Sequence, residues 1–222
     1  MSNLDLLKKL RDITGAGMLD CKKYLEKSNN DLDEAIKLMR SEGGLKADKK
    51  SARIAADGLV NYTSNSEKAL LIEVNSETDF VARSDDFKNY VNAVCQIILE
   101  TNYKNLSELE QDKEVSDKLD DIRNSIITKL GENIIIRRFK VIDNRDAYIS
   151  GYTHNGKIGA IVILENEDIE IAKDICMQIV ASNPLALDES SIDQSILESE
   201  KDIYKAELDK IDKKDDIKRN IL

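Results

Sequence analysis

The chain has 222 residues, 41% hydrophobic and 34% charged, with nine Gly, one Pro and no Trp. That is about one and a half average domains, enough for a real core, and the low Gly and Pro content excludes collagen-like and linker-like classes. A formal charge of -10 opposes any broad electrostatic grip on phosphate backbones or anionic lipid, so nucleic-acid and membrane partners are disfavoured.

The charge is uneven: residues 1–57 sum to +2, 58–164 to -4 and 165–222 to -8. Cys21, Cys95 and Cys176 are far apart, form no C-x-x-C pair and sit among apolar residues at helical spacing, which reads as reduced, buried thiols. The N-terminus lacks the basic start and apolar core of a signal peptide and the Arg-rich character of a transit peptide. No apolar run approaches the roughly 20 residues that span a bilayer. A cytosolic protein is expected.

Residues 3–43 read as three short helices. Leu6, Leu7, Leu10 and Ile13 are spaced for the first, with Ser2 and Asn3 as candidate caps, and Thr14-Gly15-Ala16-Gly17 ends it. The second, residues 18–27, puts Cys21, Tyr24 and Leu25 on one face. Asp31 with Glu34 resembles a capping box for a third helix through Leu32, Ala35, Ile36 and Met39, expected to end at Gly43-Gly44. The basic run Lys46, Lys49, Lys50 and Arg53 then reads as a charged linker helix.

Beyond residue 56 the period changes. Residues 59–63 and 69–74 are strand-like around Ser64-Asn65-Ser66, and 134–141 form another strand. Residues 148–153 and 158–164 flank Asn155-Gly156, a strong hairpin signal because a type I′ turn needs positive φ at both central residues. A weak internal repeat follows. Strand 70–74 and the helix around Val94-Cys95-Gln96-Ile97 echo strand 160–164 and the helix around Ile175-Cys176-Met177-Gln178-Ile179. The first copy carries about ten extra residues, within 76–87, between strand and helix. From Leu185, the residues Ile192, Ile196, Leu197, Ile203, Tyr204, Leu208 and Ile211 are spaced for a long amphipathic helix, whose stripe needs a returning helix or a second chain.

Catalytic chemistry has little to draw on. His154 is the only histidine and falls in the hairpin turn, so no Cys-His or Ser-His dyad can form elsewhere. The pairs Asp85-Asp86, Asp120-Asp121 and Asp215-Asp216 lack calcium-loop spacing and histidine partners, so no metal site is expected. No glycine-rich phosphate cradle is present, and no cofactor is expected. The inserted loop is different: Glu77-Thr78-Asp79-Phe80-Val81-Ala82-Arg83 places an aromatic between charges at the end of a strand. Phe80 either plugs its own core or serves as a protein-recognition anchor, its ring supplying area and Asp79 fixing register.

Three segments then resemble the bacterial translation elongation factor Ts family, in order and at matching spacing over residues 4–185. They are Thr14-Gly-Ala-Gly-Met-Leu-Asp-Cys-Lys-Lys23, Glu73-Val-Asn-Ser-Glu-Thr-Asp-Phe-Val-Ala82 and Lys129-Leu-Gly-Glu-Asn-Ile-Ile-Ile-Arg-Arg138. The resemblance implies an α+β fold: a three-helix, ubiquitin-associated-like module with its linker (1–55), a core of two antiparallel-sheet-plus-helix subdomains (56–141 and 142–185) and a helical arm (186–222). It implies a guanine-nucleotide exchange factor, without covalent chemistry, for GDP-bound elongation factor Tu.

In that reading Thr78, Asp79, Phe80 and Val81 dislodge Mg²⁺ from the partner, with Phe80 as a wedge between helices of the GTPase domain and Asp79 disturbing the polar network around its receiving site. Arg11, Met18, Leu19 and Lys22 of the first module, Leu130 and Gly131, and His154 are implied partner contacts. The family pattern is expected to continue past the arm and return to complete the second sheet. Here the sequence ends inside the arm, as a fragment or a short form, with weaker exchange expected of a fragment. Gln178 stands where some relatives have histidine and is assigned no contact. The alternative is a non-catalytic adaptor binding a protein partner through the three-helix module alone.

Overall fold

Three helices open the chain in the computed structural model, which describes residues 3–143 and 147–209: α1 (Asn3–Thr14), α2 (Met18–Lys27) and α3 (Leu32–Ser51). Leu10, Cys21, Tyr24, Leu25, Ala35 and Met39 form their common core, as the helical spacing of these residues requires. The expected capping box is half realised: the Asp31 carboxylate accepts the Glu34 N–H at 2.9 Å. The third helix departs from expectation. It continues through Gly43-Gly44 to Ser51, so the basic run is mostly its last turns. A helix-interior glycine costs only about 1 kcal/mol relative to Ala, and α3 gains packing along a later helix, Lys113–Leu130.

The first core copy is a three-stranded antiparallel sheet in the order β1-β2-β3, with β1 Asp57–Ser64, β2 Lys68–Ser76 and β3 Ile135–Asp143. Between β2 and β3 run α4 (Asp79–Arg83), α5 (Asp85–Leu99), α6 (Leu106–Leu109) and α7 (Lys113–Leu130). Alternate residues Leu70, Ile72 and Val74 of β2 join Phe87, Val91, Val94 and Ile98 of α5 in one buried cluster, with Ile127 of α7 and Phe139 of β3. The two periods, 2 and 3.6, face each other across that core.

The second copy is smaller: strands β4 (Tyr148–His154) and β5 (Ile158–Leu164), then α8 (Ile169–Ser182). The hairpin is as expected. Asn155 and Gly156 have φ of 52° and 65°, and the Lys157 N–H donates to the His154 carbonyl at 3.0 Å. It lies on the first sheet through small residues: a Cβ at Gly151 would stand 2.2 Å from the Tyr62 ring. Cys95 of α5 and Cys176 of α8 are both buried among their own cores. The extra residues of the first copy hold α4.

The chain divides into two units, Met1–Val180 and Ala181–Leu222. The second begins with a 3-10 turn (Glu189–Ser191) capped by the Asp188 carboxylate, then α9 (Gln194–Asp209). Along α9, Ile196, Ile203 and Tyr204 are 42%, 50% and 56% exposed. Ser2, the Leu208 side chain, Ile211, the Asp215-Asp216 pair and Asn220-Ile221-Leu222 lie outside the described residues. Among the described residues, no helix is long and apolar enough to cross a membrane.

Candidate functional site

The inserted loop leaves β2 at Ser76 and turns at once into α4, five residues long. Thr78 is its N-cap: its hydroxyl oxygen accepts the Val81 N–H at 3.4 Å, and its carbonyl accepts the Ser76 hydroxyl at 3.0 Å. Ala82 is buried and Val81 is packed against the core cluster. Phe80, on the opposite side, is 84% exposed. The alternative in which Phe80 plugs its own core is therefore overturned. The loop uses its small and β-branched residues as anchors and leaves the aromatic free. Asp79 pairs with Arg83 at 3.2 Å, one turn on.

A helix this short has no intrinsic stability, because nucleation is unfavourable and only a few residues propagate it. What holds it comes from the turn between α7 and β3. Gly131 caps α7 with φ 82°, a left-handed position that an L side chain resists. The next residue, Glu132, receives two hydrogen bonds from Thr78: its Oε2 accepts the backbone N–H at 3.0 Å and its Oε1 the hydroxyl at 2.6 Å. Asn133 is only 2% exposed. Its N–H donates to Glu77 Oε1 at 2.7 Å, and its amide group donates to the Arg53 carbonyl at 2.8 Å and the Ser51 carbonyl at 3.4 Å. Glu77 also meets Arg53 at 3.6 Å.

The same turn reaches the three-helix module. Lys129 pairs with Asp86 at 2.6 Å, and its aliphatic stem passes Gly15, where a Cβ would come within 2.9 Å of it. Gly15 joins α1 to α2. Beside it, Arg11 is exposed near the end of α1, Met18 and Leu19 are 41% and 84% exposed in the first turn of α2, and Lys22 pairs with Glu26 at 3.9 Å. Leu130 is half-buried against the core, while Gly131 is exposed.

His154 joins this end of the molecule through the hairpin turn. Its ring nitrogens lie 3.1 Å from the Tyr152 hydroxyl and 3.2 Å from the Asn155 amide. In the same turn Lys157 pairs with Asp57 at 2.6 Å, and the Gly156 carbonyl accepts the Val60 N–H at 2.7 Å. Asp57 is registered with Ser76, the residue that leads into the Thr78 loop. One end of the sheet thus gathers the loop, the α7 cap, the α1–α2 corner and the hairpin turn.

Among the described residues no group of His, Cys, Asp and Glu could hold a metal ion. Burial pushes up the thiols of Cys21, Cys95 and Cys176, all free and buried. Glu132 and Asn133 were not legible as anchors in the sequence, although both lie in the Lys129–Arg138 segment; a polar pair directly after a helix-ending glycine was the available signal.

The family model described as Elongation factor TS matches residues 77–222. Elongation factor Ts of Thioalkalivibrio sulfidiphilus is 40% identical over 205 residues, covering 91% of this chain and 70% of that protein. The Clostridium acetobutylicum protein of the same name is 42% identical over 217 residues, covering 93% and 71%. With the aromatic-tipped loop, its anchoring turn and identity at this level over nine-tenths of its length, the chain belongs to the elongation factor Ts family.

Proposed function

We propose that the chain is a guanine-nucleotide exchange factor for elongation factor Tu and acts by inserting Phe80 as a wedge that displaces the partner's Mg²⁺. The observation that carries the reading is the 84% exposure of Phe80 at the tip of an anchored helix. An aromatic left in water on a rigid support is the form of a binding anchor. Mg²⁺ bridges nucleotide phosphates to a GTPase and screens their charge. Removing it weakens GDP binding, and the factor needs no phosphate-binding residue and no general base of its own.

Exchange is then a coupling free energy between two ligands of the GTPase: the factor weakens GDP, and GDP weakens the factor by the same amount. Arg11, Met18, Leu19 and Lys22 supply the first contact, Thr78, Asp79, Phe80 and Val81 act at the Mg²⁺ side, and Leu130, Gly131 and His154 complete the surface. Mixing substoichiometric chain with elongation factor Tu loaded with fluorescent GDP, and excess unlabelled GDP, tests the reading. Release accelerated over many turnovers is expected. Binding without acceleration would instead favour the adaptor reading, in which the three-helix module alone carries the interaction.

A further inference from the structure

The geometry points to a division of labour within the turn after α7: Glu132 positions the Phe80 helix for nucleotide release, and Asn133 positions the three-helix module for partner capture. The inference rests on the exchange reading above and names residues that reading does not use. Glu132 is not itself among the residues assigned to the partner. It acts through Thr78, taking both the backbone N–H and the hydroxyl of the residue that caps α4.

The Val81 N–H, the Thr78 hydroxyl and the Glu132 carboxylate form a relay of donors ending on a charged acceptor, and hydrogen bonds to an ionised group are the strong ones. Five helical residues cannot hold their own geometry. Without Glu132, α4 keeps the burial of Ala82, the packing of Val81, the Thr78 cap and the Ser84 bond to the Val81 carbonyl, and the direction of Phe80 is less defined.

Asn133 faces the other way. Its buried amide donates to the carbonyls of Ser51 and Arg53, where α3 ends and the chain enters the core. That pair of bonds, with Lys129 against Gly15, sets the module and the loop in one frame. A frame of this kind lets both surfaces meet a partner without an ordering cost at the moment of binding. Adjacent residues on one turn therefore govern two steps, and their loss separates them.

The test is saturation kinetics of fluorescent-GDP release from elongation factor Tu by the full chain, for the parent, Glu132→Ala, Glu132→Gln, Thr78→Val, Asn133→Ala and Phe80→Ala. Glu132→Ala is expected to lower the maximal release rate about tenfold, equivalent to about 1.4 kcal/mol, with the half-saturating concentration within about twofold. Glu132→Gln, which keeps one acceptor, recovers part of the loss. The double variant Thr78→Val with Glu132→Ala loses less than the sum of the two single variants, because both remove the bond from the Thr78 hydroxyl to Glu132. Asn133→Ala raises the half-saturating concentration and leaves the maximal rate near that of the parent. Circular dichroism and the melting midpoint identify any variant that does not fold, and Thr78→Val reads the relay independently of Glu132. Glu132→Ala at the parent's maximal rate, while Phe80→Ala is slow, overturns the positioning role and leaves the wedge standing. Phe80→Ala at the parent's rate overturns both.

Discussion

Phe80 gives the clearest case of a side chain whose placement contradicts its chemistry unless it has a partner. A phenyl ring contributes about 1.5–3 kcal/mol when buried, yet it is 84% exposed while neighbouring Ala82 is sequestered. Its support depends on single residues. Gly131 caps α7 at φ 82°, with nothing near the position of a Cβ, so Gly131→Ala carries only the backbone penalty. A loss of about 1–2 kcal/mol and a melting midpoint lower by a few degrees are expected in thermal denaturation.

A second residue-scale prediction concerns pH. Glu42 accepts from Lys27 and Tyr24, which hold its carboxyl below the ordinary carboxylate range, the lysine more strongly; burial and Glu42 push Tyr24 up to about 12. Because Glu42 is more acidic folded than unfolded, its contribution is complete above its ordinary value of 4.5 and lost as the pH falls through the lowered one. Melting curves of Glu42→Gln should show reduced stability near neutral pH and a smaller decline on acidification than the parent.

At the scale of elements, the small second sheet shows how packing substitutes for strand number. A lone two-stranded hairpin is marginal in water. Here it leans on β1 with glycine against aromatic, Gly151 on Tyr62. Gly151→Ala would place its Cβ 2.2–2.7 Å from ring atoms, and overpacking of this kind costs about 1–3 kcal/mol. A lower melting midpoint is expected, recovered in part by adding Tyr62→Leu; an unchanged midpoint would mean that the hairpin is not held by this contact. The element pattern was largely legible in the residues. Helical spacing placed Cys21, Tyr24 and Leu25 inside, and Asn155-Gly156 located the hairpin, because each signal is local. The continuation of α3 through Gly43-Gly44 was not legible, since its support comes from α7, some 75 residues away along the chain. Nor were the bonds from Thr78 to Glu132, which are set by tertiary approach across 54 positions.

For the whole molecule, membership of the elongation factor Ts family is the basis of the proposed recognition of another protein. The surfaces assigned to that recognition come from α1, α2, α4, the α7 cap and the β4–β5 turn, all at one end of the first sheet. The family resemblance implies these residues, and Lys129, Glu132 and Asn133 tie the module and the loop to one turn. The most direct measurement is stopped-flow release of fluorescent GDP from elongation factor Tu at saturating chain, parent against Phe80→Ala, with Mg²⁺ present and with Mg²⁺ chelated. A hot-spot aromatic is worth about 2–4 kcal/mol, or roughly 30- to 1000-fold in rate. If Phe80 displaces the ion, a gap of at least about tenfold between parent and variant is expected with Mg²⁺ present, narrowing when the ion is already gone. Equal rates with Mg²⁺ present would contradict that displacement.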